Sequence, residues 1–351
     1  MNEVGVSPPG RVSVSFILPV LNRQHCIARA IDSCLACAGD RVEVRVLVID
    51  GGSTDGTREA VASRYAGDGR VALLDQPRDR KGFMAACYFG VEQVRTDLAS
   101  FMYSDDVLSP EVGRLAEALA DHPETALAMG YGQQAAEDAA LEFHSLPEVR
   151  QVAAERVLEA FYGRPDRLDG LSLPVSPVCC LVRSDALRVW ARQVQEFVAG
   201  SALRQHAMIR LAGGQDLMVY LVAMLGGADR VLLADGVVAQ LTASGDSITR
   251  QGNRAGQLLV GYWLGRVWGL NRALAQGWPV AAGMAGYVLA VWLYILMGML
   301  RRLDLRWMPP VWIEGLRILA ITVRHGLFLD TLRHALASGL ARLRMRTRET
   351  N

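Results

Sequence analysis

The segment Val46-Leu47-Val48-Ile49-Asp50-Gly51-Gly52-Ser53-Thr54-Asp55-Gly56-Thr57 constrains the fold of this chain more than any other. Four apolar residues, three of them β-branched, read as a buried strand. The strand ends on a carboxylate, two glycines turn the chain, and Ser53, Thr54 and Asp55 are placed to cap a following helix. The same rhythm repeats on either side. Strands over 12–20, 42–49, 71–74 and 98–103 alternate with helices over 27–38, 57–65, 82–94 and 111–121. This predicts an α/β fold, a mostly parallel sheet with helices on both faces. In such sheets ligands bind outside the carboxyl ends of the strands, which makes Asp50 a candidate ligand-facing group.

Residues 1–11 read as a loose tail, 12–255 as the α/β domain and 256–351 as a helical appendage. Within the domain, 122–180 is mixed, with two strands and a helix near 151–161 expected. A helix over 217–225 and a strand over 230–238 follow. The 351 residues carry a net charge of +1, so there is no global basic field of the kind that binds nucleic acid. Six cysteines are scattered. Cys34 and Cys37 form C-x-x-C without a second pair at zinc spacing, and read as small apolar core residues. The start of the chain lacks a basic segment followed by an apolar run, so a cytoplasmic catalytic part is expected.

Apolar residues make up 51% of the chain and concentrate after residue 256. Residues 280–300 carry no charge and are followed by Arg301-Arg302; that length matches a bilayer core of about 30 Å. Residues 309–346 then show a long helical pattern with apolar stripes and mostly basic charges, suited to an anionic membrane surface. Arginines flank the apolar run on both sides, so charge bias chooses no direction across a bilayer. A segment that spans, one that lies at the cytoplasmic face, and a helical layer packed on the domain or on a second subunit all remain open.

Two further acidic sites follow Asp50. Phe101-Met102-Tyr103-Ser104-Asp105-Asp106 is a strand ending on paired carboxylates. Adjacent carboxylates repel, and a hard cation such as Mg²⁺ or Mn²⁺ relieves the repulsion while bridging diphosphate oxygens. The plainer alternative is a helix cap at Asp106 with Pro110 in the first turn. Gly213-Gly214-Gln215-Asp216 precedes the 217–225 helix and places Asp216 at its N-terminus, either as a general base or as a simple cap.

Together these sites resemble the family-2 glycosyltransferases, from about Val12 to Thr249. Ile17-Leu18-Pro19-Val20-Leu21-Asn22-Arg23 looks like the family's opening strand and nucleotide loop, and Val48 to Thr57 matches its most recognisable motif. Lys81-Gly82, with Ala86 and Gly90 following, matches the helix before the metal motif. Tyr103-Ser104-Asp105-Asp106 matches the DxD-type region, with Tyr103 in the first acid position. Gln215-Asp216 matches the catalytic acid pair, with Gln215 in its first position and Tyr220-Leu221 at the usual offset. Leu21 stands where relatives carry an aromatic residue, and Ala85 and Tyr88 where many carry Asp and Asn. Gln251-Gly252-Asn253-Arg254 has the Q-x-x-R spacing of processive synthases without the Trp that follows it there.

The resemblance implies a GT-A fold and an inverting transfer from a nucleotide-diphospho-sugar to an acceptor hydroxyl. It implies nucleotide contacts at Pro19, Leu21, Asn22, Arg23, Asp50, Lys81, Gly82 and Ser104. Asp105 and Asp106 would hold Mn²⁺ or Mg²⁺, Asp216 would be the base, and Arg250 or Arg254 would face the diphosphate. A lipid-linked or polysaccharide glycan precursor is the expected acceptor, and a homo-oligomer through the C-terminal helices is a possible assembly. The alternative is a degenerate module that binds a nucleotide-sugar without turnover.

Overall fold

The computed structural model describes residues 10–136, 143, 148–171, 173–174, 176–206, 214–242, 257–302 and 305–336. The chain divides into two compact units. One comprises Met1–Ala154, Leu171–Arg192 and Val222–Arg250; the other comprises Glu155–Gly170, Gln193–Leu221 and Gln251–Asn351.

The first unit is built on a nine-stranded sheet. Strands β1 (Val12–Val20), β2 (Val42–Asp50), β3 (Val71–Asp75) and β4 (Leu98–Phe101) pair in parallel, in the spatial order β3-β2-β1-β4. Helices α1 (Ile27–Leu35), α2 (Thr57–Arg64) and α3 (Phe83–Gln93) connect them. All nine residues of β1 are buried, as a central strand covered on both faces requires. Phe16 and Leu18 of β1, Val46 and Val48 of β2 and Ile31 of α1 share one core with Leu115 and Leu119 of α4 (Val112–Asp121). A Cβ at Gly90 would overlap Ile17, so α3 lies closer to the sheet than any other residue there would allow.

Beyond β4 the sheet turns mixed. The order continues β8 (Cys180–Arg183), β6 (Leu127–Ala135), β9 (Arg230–Thr242), β5 (Val107–Leu108), and β7 (Val149–Ala153) pairs with β9. Of these, only β6 and β9 run parallel. The expected parallel α/β architecture therefore holds over the first four strands, and antiparallel pairs extend it. The helix expected near 151–161 starts at Ala154 (α5, Ala154–Phe161), because 149–153 is drawn into the sheet as β7.

One helix carries no assignment in the sequence reading. In α6 (Ser184–Gly200), Leu187, Trp190 and Val194 are buried at helical spacing. Helix α7 (Leu217–Met224) ends one residue before its expected limit. The segment read as a helical appendage opens with α8 (Gln257–Ala275), in the second unit. There α8 packs on α9 (Ala281–Arg302), where Trp263 Nε1 donates to the Val288 carbonyl at 2.9 Å. Helix α9 packs on α10 (Met308–Arg324), where Trp292 Nε1 donates to the Val311 carbonyl at 3.0 Å. The long helix expected over 309–346 ends at Arg324; Gly326, at φ +68°, breaks it, and helix resumes over 328–336. All six cysteines are buried free thiols.

Candidate functional site

The register of the first three strands sets the site's floor. Val20 of β1, Asp50 of β2 and Asp75 of β3 lie side by side at the sheet's carboxyl edge. On the other side of β1, β4 ends at the level of Ile17, and the Met102 amide donates to the Ile17 carbonyl at 2.8 Å. The chain passes from β1 outward to β2 and β3, then back across to β4. That reversal between β1 and β4 opens a crevice outside their carboxyl ends.

Asp50 is 2% exposed, and its carboxylate is held from several sides. Oδ2 accepts from the Gly52 amide (3.2 Å), the Ser53 amide (3.2 Å) and Arg58 Nη1 (3.0 Å), and Oδ1 accepts from the Ser53 amide (3.2 Å). Burial pushes its pKa up, but the Ser53 and Arg58 hydrogen bonds with the Gly52 amide outweigh it and hold the group below the ordinary carboxylate range. Arg58 also pairs with Asp75. The two backbone amides converge because Gly52 takes φ +97°, a left-handed conformation that favours glycine.

The loop after β1 is laced to this turn. The Asn22 amide donates to Ser53 Oγ (2.9 Å), Asn22 Oδ1 accepts from the Thr54 amide (2.8 Å), and the Arg23 amide donates to Thr57 Oγ1 (2.8 Å). Asn22 itself sits at φ +54°. Pro19 lies within β1 opposite Ile49, and Leu21 is left 54% exposed beside the turn. Lys81 and Gly82 follow β3 in a loop pinned by Gln76, whose Nε2 donates to the carbonyls of Arg80 (2.5 Å) and Gly82 (2.9 Å).

The paired aspartates follow β4. A tight turn has the Asp106 amide donating to the Tyr103 carbonyl at 3.1 Å, with Ser104 buried inside it. Helix α1 clamps the segment: Arg29 Nη2 donates to the Asp105 carbonyl (3.2 Å), and Ser33 Oγ accepts from the Leu108 amide (3.1 Å). Cys37 Sγ reaches the Ser109 carbonyl at 3.5 Å, which gives this thiol a structural role. The two carboxylates diverge. Asp106 turns inward, is 5% exposed, and accepts from the Thr242 amide at 2.9 Å. Burial, reinforced by the charge of Asp105, pushes its pKa up to about 8. Asp105 is more accessible.

Among the described residues no three His, Cys, Asp or Glu side chains gather into a metal cluster. A Mg²⁺-like cation needs no such cluster, since one or two carboxylates and the substrate phosphates suffice. Asp105, accessible and hard, fits that requirement; Asp106, buried against Thr242, fits the part of a supporting residue.

Asp216 belongs to the second unit and stands immediately before α7. Oδ1 accepts from the Leu217 amide (2.8 Å), and Oδ2 accepts from Tyr262 Oη (3.2 Å). Burial pushes the carboxyl up to about 6, while those two donors restrain the rise. The charge on Asp216, then burial, pushes the Tyr262 phenol up. Backbone contact makes this pairing possible. A Cβ on Gly214 would overlap the Gly261 carbonyl, and one on Gly265 would stand 2.6 Å from the Gly214 carbonyl. Only glycines let the 214–216 turn lie on the α8 backbone, and that brings Tyr262 to Asp216.

The structure thus gathers Pro19, Leu21, Asn22, Arg23, Asp50, Ser104 and Asp105 along the carboxyl edge of β1, β2 and β4, with Lys81 and Gly82 after β3. Arg250 and Arg254 lie outside the described residues. Sequence reasoning missed Arg58, Gln76, Arg29 and Tyr262. The first three carry no local signal. Tyr262 had one, the close pair Gly261 and Gly265 around it, hidden in a segment read for its apolar character.

A family model described as glycosyl transferase family 2 matches residues 15–190, half of the chain. The chain belongs to that family. The match runs from within β1 to the first turns of α6, so it contains Asp50 and the paired aspartates after β4. Solved structures agree on the fold. TarS 1-349 from S. aureus in complex with UDP-GlcNAc superposes with a TM-score of 0.57 at 14% identity, over 95% of this chain and 92% of that one. A second structure of TarS 1-349 gives 0.55 at 15% identity, over 95% and 91%. S. aureus TarS gives 0.54 at 15% identity, over 93% of this glycosyltransferase and 54% of TarS. No curated protein sequence matches the chain.

Proposed function

We propose that this glycosyltransferase moves a sugar from a nucleotide-diphospho-sugar to an acceptor hydroxyl with inversion at the anomeric carbon. The observation that carries the reading is the Asp50 carboxylate, fixed at the sheet's carboxyl edge by Gly52, Ser53 and Arg58 beside the exposed Leu21. Asp50 accepts from the nucleobase, Leu21 and Pro19 cover its face, and Asn22, Arg23, Lys81, Gly82 and Ser104 line the nucleotide's path. The UDP-GlcNAc complex of the similarly folded TarS supports a uridine donor.

Asp105 is the residue that would hold Mn²⁺ or Mg²⁺, with Asp106 in support; when bound, the cation neutralises charge on the leaving diphosphate. Arg250 or Arg254 adds positive charge there. Asp216 takes the acceptor's proton. The freed oxygen bonds to the anomeric carbon as the bond to the diphosphate breaks, and the nucleoside diphosphate departs. A carboxylate poised near pH 6 is a stronger base than an ordinary one and is still mostly ionised at neutral pH. The reaction is a single displacement, so positioning and charge stabilisation supply the rate enhancement.

The acceptor is a glycan precursor, lipid-linked or polysaccharide, met at the cytoplasmic face of the membrane. The motive is the apolar and arginine-rich sequence after residue 256. A panel of nucleotide-sugars, screened by melting temperature and by hydrolysis with and without Mn²⁺, tests the reading. A donor that raises Tm and is turned over only with metal, and not by Asp216→Asn, supports it. A donor that binds without turnover in the wild type replaces it with the degenerate binding module.

A further inference from the structure

We propose that the second unit docks on an anionic bilayer in the plane of the membrane, through the outward faces of α9, α10 and the helix over 328–336, rather than by a spanning helix. The proposal rests on the membrane-face reading above and specifies how that face is met.

Helix α9 is long and apolar enough to cross a bilayer. Its surroundings argue for another use. From Ala281 to Trp292 its side chains pack inside the unit: Met284, Ala285, Val288, Val291 and Trp292 are all buried, and Trp263 of α8 bonds to Val288. Exposed apolar side chains begin only in its second half, at Leu293, Met297 and Leu300, one stripe at i, i+4, i+7. A span needs about 20 consecutive apolar residues, and a lone one meets lipid along that whole length; α9 offers one exposed stripe over eight.

Helix α10 is half docked in the same way. Its inward side is tied down by Glu314, 4% exposed, which accepts from Ser201 Oγ (2.8 Å) and the Ala202 amide (2.7 Å). Its outward side carries Trp312, Leu316 and Val323, again at i, i+4, i+11. Trp312 packs edge-on against Trp292, ring centroids 5.0 Å apart, next to Leu293 where the α9 stripe begins. Phe328 and Leu332 continue the exposed apolar surface beyond Gly326.

Charge selects the occupant. After residue 250 the chain has thirteen arginines, no lysine and four acids. Of the acids in the described residues, Glu314 is already engaged and Asp330 pairs with Arg333. Arg301, Arg302, Arg324 and Arg333 are exposed next to the apolar stripes. A second copy placed across this face by a two-fold axis would set arginine against arginine. An anionic lipid surface neutralises them while accepting the apolar side chains, as interfacial helices do.

The test uses the full chain and vesicles of phosphatidylcholine with or without phosphatidylglycerol. The wild type is expected to sediment with anionic vesicles at low salt, to lose most of that binding in 0.5 M NaCl, and to leave neutral vesicles largely unbound. Leu293→Glu with Leu316→Glu, both exposed and outside the transfer machinery, should lower vesicle partition at least tenfold with Tm unchanged. Arg324→Ser should lower it about fivefold. Three results would overturn the proposal: no binding to anionic vesicles; binding that only detergent, and not salt or alkaline carbonate, releases; or a dimer in sedimentation velocity that Leu316→Glu dissociates. Donor hydrolysis measured in the same preparations separates the two readings. Turnover without vesicle binding sinks the docking face alone, and vesicle binding without turnover sinks the transferase reading alone.

Discussion

Asp50 and Asp216 are the same residue in opposite electrostatic settings. At the end of β2, Asp50 is nearly inaccessible yet more acidic than usual, because two backbone amides and Arg58 converge on it. Before α7, Asp216 has one amide and one phenol, and burial dominates, raising it to about 6. Their linkage to stability therefore has opposite signs. Asp50 contributes stability that is present above the ordinary carboxylate pKa and lost as pH falls through its own, lower value. Asp216 costs stability once ionised, and the cost is relieved as pH falls through about 6. A carboxylate locked in its charged form serves as a fixed acceptor; one held near its titration point can exchange a proton. Under the proposed function the first kind of carboxylate binds and the second transfers a proton, and that division can be broken at either end.

The largest effect is expected from Asp216→Asn. Removing a general base costs about 10²- to 10⁴-fold in kcat, while donor affinity, read by titration calorimetry, stays within about twofold. The same variant should melt higher than wild type at pH 8 and lose that advantage toward pH 5, since it removes a charge that burial disfavours. A loss of donor affinity equal to the loss of kcat would erase the division of labour.

Next comes Asp50→Asn. It retains the shape but takes the charge from Arg58 and turns an amide toward the Gly52 and Ser53 N–H groups. Hydrogen bonds to charged groups contribute about 1.5–3 kcal/mol, so donor affinity should fall about 10- to 100-fold. At saturating donor, kcat should be nearly unchanged. A collapse of kcat with unchanged affinity would reverse the assignment.

The contrast also explains what was legible in the sequence. Asp50 ends β2 and the paired aspartates follow β4 within five residues, so in each case strand pattern and carboxylate are nearly contiguous and 48–57 and 103–106 could be read locally. What fixes those carboxylates is not contiguous. Arg58 reaches back from α2, Arg29 from α1, and Thr242 arrives from β9, 136 residues after Asp106. The mixed half of the sheet was harder for the same reason, because β8, β6, β9 and β5 pair across long separations. Around Asp216 almost nothing was local. Its phenol partner lies 46 residues on, in a helix whose apolar composition drew attention to lipid rather than to chemistry.

Gly265→Ala probes that long-range construction. The added methyl meets the Gly214 carbonyl, and the turn carrying Asp216 must move off α8. Overpacking of this kind costs about 1–3 kcal/mol, visible as a lower Tm. Displacement of the base should lower kcat about tenfold, with donor affinity intact. Unchanged kcat would mean that the seating of the turn on α8 does not control the base.

Tyr262→Phe should give the smallest change in rate and the sharpest test of what raises Asp216. It leaves the ring in place and removes one hydrogen bond at 3.2 Å. That bond favours the ionised carboxylate, so its loss moves Asp216 further up from about 6. The base is active when ionised; kcat should therefore fall on the acid side, with a limb near pH 6 in the wild type and a higher one in the variant. At pH 8, where both are ionised, the rates should differ by about fivefold or less, and a more basic carboxylate partly offsets the lost positioning. At pH 6 the gap should widen, because the variant is then largely protonated. If Tyr262 served only to pack α8, the rate would change by the same factor at every pH and the limb would stay where it was. A limb that moves down instead would mean that the phenol favours the protonated carboxyl, the reverse of the role its hydrogen bond gives it.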